Sequence, residues 1–186
     1  MEKKKMRARD IALCALFTTL TAAGAFIRIP LPPVPFTLQF MFALLAGVLL
    51  GSRLGALSVL CYIILGLAGL PIFASGGGIT YIFMPSFGYI VGFCAAALIS
   101  GKISHAGPRP TFGRIFAGAL IGMITMYALG MAYYWAISTF YLGNNVAARS
   151  LFLSGFLITL PKDIALCALA ALLGKRLIPV LGRKGP

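Results

Sequence analysis

Acidic residues are nearly absent from this chain. Of its 186 residues only three are Asp or Glu, namely Glu2, Asp10 and Asp163, against sixteen Lys and Arg. Glu2 and Asp10 belong to the N-terminal end, so no second acid lies deep in the sequence beside Asp163, and an aspartyl catalytic dyad is excluded. The single histidine, His105, has no ligand partner near it, and there is no C-x-x-C pair, no H-E-x-x-H, no Walker A loop and no Ser/His constellation. A metal site, a nucleotide hydrolase and an intramembrane protease all lose their signatures, so the chain is expected to be no enzyme and to carry neither metal nor cofactor. The four cysteines, Cys14, Cys61, Cys94 and Cys167, sit within apolar runs, where thiols behave as small packing residues.

Charge as a whole is scarce. Ten per cent of residues are charged and 60% hydrophobic, with a mean hydropathy of +0.99, whereas soluble domains carry roughly 25% charged residues. Too little polar surface exists to face water, so lipid is the expected solvent. Apolar runs fall at 11–27, 36–50, 54–73, 82–100, 113–142 and 151–174, which predicts an all-α integral membrane protein with six transmembrane helices in a single transmembrane domain covering residues 1–186. The run 36–50 is short for a span and demands tilt, a kink or help from its flanks. Lys3 to Arg9 followed by Ala23-Gly24-Ala25 also resembles a leader with a cleavage site. The run between them is long for that reading, and a chain this apolar needs no removable leader to reach the membrane.

The net charge of +13 does not indicate nucleic acid, because the cations form short clusters between apolar runs rather than a basic stripe interleaved with aromatics. They act as topology signals. With six spans, Lys3, Lys4, Lys5, Arg7, Arg9, Arg53, Lys102, Arg109, Arg114, Lys175, Arg176, Arg183 and Lys184 share one side, while Arg28 and Arg149 hold the other. This asymmetry predicts cytoplasmic N- and C-termini.

The outer connections differ from the inner ones. "IRIPLPPVPFTLQ" (27–39) places four prolines in six residues, which forbids a helix and enforces a stiff extended chain. "LPIFASGGGITYIFMPSFGY" (70–89) is uncharged and aromatic, a poor solvated loop, and is expected to fold back over the protein as a cover or lid hinged at Gly76, Gly77 and Gly78. Within the last run, "LPKDIA" sets Lys162 and Asp163 about a dozen residues deep, near mid-bilayer, just after Pro161, which would bend a helix. Neighbours on a helix point roughly 100° apart, so a simple ion pair between them is awkward and a polar patch facing a ligand is the sharper expectation. Gln39 is the next polar group on that side. A structural kink neutralised by neighbouring helices is the competing reading.

Four stretches resemble the BioY family, the biotin-specific substrate-binding (S) components of energy-coupling-factor (ECF) transporters: "PLPPVPFTLQ" (30–39), "LLGSRLGALSVLCYIILGLAGLPIFASGGG" (49–78), "MPSFGYIVGF" (84–93) and the P-x-D of "LPKDIA" (160–165). The resemblance implies the ECF S-component architecture in a prokaryotic cell membrane, with a vitamin pocket near the outer face under the 1–2 and 3–4 loops. It departs from the family where P-G-D, followed three residues later by lysine, gives way to Lys162 before Asp163 and Leu166 after it. It departs again where G-P-T-G-G-Y is replaced by Met84 to Tyr89.

On that resemblance Asp163 accepts hydrogen bonds from the ureido N–H groups of biotin, and Lys162 holds the ureido oxygen or the carboxylate. Gln39, Phe36, Phe73, Gly77, Tyr81, Phe83 and Tyr89 complete the pocket. Ala8 and Ala12, an A-x-x-x-A pair at the start of the first helix, are the expected docking point for the coupling subunit. Transport would draw on two separate ATPase subunits, since this chain has none of their motifs; membrane lipid is the other partner, and a homo-oligomer stays open. Competing readings are an S component for another vitamin and an autonomous small secondary carrier in which Asp163 relays protons.

Overall fold

An apolar chain in lipid satisfies its backbone N–H and C=O groups internally, and a helix does so within each segment. The computed structural model of the chain follows that rule and describes residues 6–29, 36–107, 110–143 and 159–181. Six α-helices lie among them: α1 (Ala8–Phe26), α2 (Gln39–Leu50), α3 (Ser52–Leu67), α4 (Phe87–Ser104), α5 (Phe112–Ala136) and α6 (Leu160–Val180). A π-helical turn, Ile137–Tyr141, extends α5. Among the described residues three stretches, Ala8–Phe26, Phe87–Ser104 and Phe112–Tyr141, are long and apolar enough to cross a membrane.

Helix α2 has only 12 residues, a rise of about 18 Å, well short of a ~30 Å hydrocarbon core. It is tolerable because α2 does not face lipid. It packs against α1, α3, α4 and α6, and Phe40, Ala43, Leu44, Ala46, Val48 and Leu49 are all buried. A helix apolar all round belongs at the centre of a bundle. Gly51, at φ +82°, makes the sharp turn into α3 that a side-chain-bearing residue resists. Outward-facing Leu60, Ile64, Val91, Leu98, Ile124 and Leu172 present an apolar exterior, the surface a lipid-embedded bundle requires.

Two long-range contacts collect helix ends at one face. The Arg9 guanidinium donates to the carbonyl of Leu181, joining the start of α1 to the end of α6. His105 Nε2 lies 2.8 Å from the Val48 carbonyl oxygen, joining the end of α4 to the last turn of α2.

At the opposite face the 1–2 connection forms a short antiparallel clip, β1 (Arg28–Ile29) on β2 (Phe36–Thr37), with Arg28 opposite Thr37. The proline-rich 30–35 between them lie outside the described residues, as does 144–158. The 3–4 connection turns two of its aromatics inward: Phe73 and Tyr81 are buried, and a 3₁₀ turn over Ile79–Phe83 precedes α4. The Tyr133 hydroxyl donates to the Ile82 carbonyl, tying this cover to α5.

The last helix corrects one expectation. In α6 Leu160 and Pro161 are the first two residues, so Pro161 occupies the first turn, where its missing N–H forfeits nothing, and it makes no kink. Asp163 consequently stands in the first turn of α6, at the face of the covering loops, and not a dozen residues into a helix. The positive end of the helix dipole lies there and favours a carboxylate.

Candidate ligand-binding site

The site grows from two polar clusters at the covered face. The first is built on the entrance to α2. Thr37 Oγ1 donates to Gln39 Oε1 at 3.1 Å, Gln39 Nε2 donates to the Tyr62 hydroxyl, and that hydroxyl donates to the Ile72 carbonyl at 3.2 Å. Gln39 is 3% exposed; a buried amide is held where its donors and acceptors find partners. Phe73 lies edge-on to Tyr62 at 5.3 Å and tilts on Tyr81 at 4.6 Å, so the 3–4 cover rests on the same aromatic floor. Its ring fills the notch that Gly66 leaves in α3.

The second cluster sits where α5 meets the start of α6. The Tyr127 hydroxyl donates to Asp163 Oδ2 and lies 2.5 Å from Thr159 Oγ1. Lys162 folds back along its own helix, and its Nζ reaches Asp163 Oδ1 at 2.7 Å. The awkward angle between adjacent residues is overcome by the length of the lysine stem, so the two charges do pair. Asp163 is 2% exposed, and burial of a carboxylate is sustainable only with such partners.

Tyr89 joins the clusters. Its ring stands perpendicular to that of Tyr127 at 6.1 Å, and its other side lines a cavity of about 30 Å³ bounded by Thr37, Gln39, Tyr81, Ser86 and Phe93. That is room for a water or two. A second cavity, of about 290 Å³, lies between the end of α1 and the 3–4 cover, bounded by Phe26, Arg28, Pro71, Phe73 and Ser75. Ala74 borders both.

Most of the residues expected from sequence converge here. Gln39, Tyr81 and Tyr89 line the inner cavity, Phe73 lines the outer one, and Asp163 with Lys162 lies one ring behind Tyr89. Phe83 does not join them: it is 48% exposed and stacks on Tyr141 at 4.8 Å. Gly77 lines neither cavity and is no free hinge. A Cβ there would stand 2.1 Å from the Leu70 carbonyl oxygen, while Gly76 and Gly78 on either side carry the positive φ. The backbone of Phe36 pairs with Ile29 in the clip; its side chain lies outside the description. Ala8 and Ala12 are both exposed on α1.

Sequence reasoning passed over Tyr62 and Tyr127. Both are phenols within otherwise apolar runs, and a buried tyrosine hydroxyl needs a hydrogen-bond partner. That signal was present in the sequence, but nothing in it said which residues would meet them.

Few polar groups beneath a loop cover, in a bundle with an apolar exterior, is the arrangement of a membrane-embedded solute-binding component. Comparison with known proteins gives the class its family: the chain belongs to the BioY family, whose model matches residues 1–183. It is 43% identical over 177 residues to a probable biotin transporter of Lysinibacillus sphaericus, covering 95% of this chain and 90% of that one. It is 38% identical to a probable biotin transporter of Pyrococcus horikoshii, covering 92% and 98%. Its fold matches the crystal structure of the S-component for biotin from an ECF-type ABC transporter with a TM-score of 0.81 over 97% of each chain, at 23% identity. The protein is thus a multi-pass membrane protein of the prokaryotic plasma membrane with the S-component architecture, and its family indicates no cofactor.

Proposed function

We propose that this chain is the biotin-binding S component of a vitamin uptake transporter, working as one transmembrane domain with both termini in the cytoplasm. Biotin binds at the covered outer face. Its ureido head displaces the Tyr89 ring, joins the inner cavity to the Asp163 cluster, and donates N–H groups to the carboxylate while Lys162 moves to the ureido oxygen. Gln39, Tyr81 and Phe73 form the walls. A coupling subunit docks on the exposed Ala8 and Ala12 face of α1, and two ATPase subunits drive release inward.

The observation that carries the reading is Asp163, buried at 2% exposure and held by Tyr127 and Lys162, with Tyr127 packed on the Tyr89 ring that lines the inner cavity. Ionisable residues within a membrane chain are costly to keep, and a buried one marks a functional site by default. Likeness to the probable biotin transporters of Lysinibacillus sphaericus and Pyrococcus horikoshii supports biotin as the ligand.

The test is equilibrium binding to the purified, detergent-solubilised chain without ATP, with biotin against thiamine, riboflavin and desthiobiotin. Tight, biotin-selective binding is expected. Preference for thiamine or riboflavin would reassign the vitamin. Binding of none of the four would refute a substrate-binding role.

A further inference from the structure

The outer cavity has a chemistry that the head-group site does not explain. Phe26, Pro71, Phe73 and Ala74 supply the apolar part of its lining, and Ser75 and Arg28 supply polar groups beside them. The guanidinium crosses from the 1–2 clip to the 3–4 cover and donates to the carbonyl of Ala74. A carbonyl takes one of its five N–H donors and offers no formal charge.

Among the described residues no carboxylate is positioned to neutralise Arg28. Asp163 is taken by Lys162. Asp10 bonds the Arg7 backbone N–H at the far end of α1, a helix of 19 residues that separates it from Arg28 by roughly 27 Å. Arg28 is also one of only two basic residues expected on the poor side of the charge asymmetry, so the topology signal does not account for it.

We propose that the outer cavity is a carboxylate site, with Arg28 as the cation that selects a free acid at the end of an aliphatic tail. This rests on the biotin reading and deepens it. Ala74 borders both cavities, so a ligand with its polar head beside Tyr89 and Asp163 that extends past Ala74 brings its tail along Phe73 towards Arg28. A guanidinium presents a planar fork that matches a carboxylate with two parallel hydrogen bonds. In the ligand-free protein the same side chain latches clip to cover through Ala74, and the carboxylate takes over that fork on binding. Lys162, engaged with Asp163 at the other cluster, is thereby assigned to the head group rather than to the tail.

The discriminating experiment compares biotin with biotinamide, which has the same rings and a neutral tail, on the purified chain and its Arg28→Gln and Arg28→Lys variants. Wild-type protein should prefer the acid by about tenfold to hundredfold, the range for one hydrogen bond to a charged group. Arg28→Gln should bring that ratio close to one by weakening the acid, and Arg28→Lys should restore part of it. An acid-to-amide ratio in Arg28→Gln equal to that of wild type would overturn the assignment and leave Arg28 as a headgroup anchor, with biotin binding itself untouched. Failure of wild-type protein to bind either compound would instead overturn the biotin reading, and this inference with it.

Discussion

Replacing Tyr127 with phenylalanine removes one oxygen atom and separates two roles for Asp163. In wild-type protein the hydroxyl donates to Asp163 Oδ2 and stands 2.5 Å from Thr159 Oγ1, while Lys162 remains on Oδ1 at 2.7 Å. A hydrogen bond to a charged group contributes about 1.5–3 kcal/mol, equivalent to roughly tenfold to a hundredfold in an equilibrium constant. If the hydroxyl aims the carboxylate at the ligand, that loss falls on binding. Tyr127→Phe should then weaken biotin by about tenfold or more, and Asp163→Ala by at least as much. The double variant should be little worse than Asp163→Ala alone, because both remove one interaction. Isothermal titration of each purified variant gives the four affinities, and thermal unfolding without ligand reports on the fold. A Tyr127→Phe variant that melts at lower temperature yet binds biotin within twofold of wild type would refute the reasoning. Asp163 would then be a structural charge at the start of α6.

Three further outcomes follow from the cover and from α1. Valine at Gly77 sets a Cβ 2.1 Å from the Leu70 carbonyl oxygen, so the 3–4 cover must move; overpacking of about 1–3 kcal/mol should accelerate biotin dissociation about fivefold to a hundredfold. Hydrogen exchange over 72–84 should slow on adding biotin to wild-type protein, and equal exchange with and without saturating ligand would show that this segment does not close on it. Leucine at Ala8 or Ala12, both exposed, should abolish co-purification with the coupling subunit while biotin affinity stays at the wild-type value. Recovery of the complex at wild-type yield would move the docking surface elsewhere.

Much of this molecule was legible in its amino acids. Scarcity of charge dictated lipid as solvent and helices as the way to satisfy the backbone. The prolines of 27–39 ruled out a helix there, and the structure has an extended clip at Arg28 and Thr37. Uncharged 70–89 had no reason to face water, and Phe73 and Tyr81 are indeed turned inward. Asp163 stood out because a lone acid in an apolar run is costly wherever it lies.

Depth, pairing and partnership were decided by the tertiary structure. Pro161 bends a helix if it lies in the middle and starts one if it lies in the first turn, and the local sequence suits both. Its position in the first turn of α6 also set Asp163 at the start of that helix rather than a dozen residues into one. Adjacent Lys162 and Asp163 diverge by helix geometry alone; only the low-polarity surroundings make it worthwhile for the lysine stem to curl back. Phe73 and Phe83 look alike in sequence, yet one fills the notch at Gly66 and the other stacks outward on Tyr141. Tyr127 lies 36 residues before Asp163. A hydrogen bond depends on where two helices bring their side chains in space, and no periodicity within either helix carries that distance.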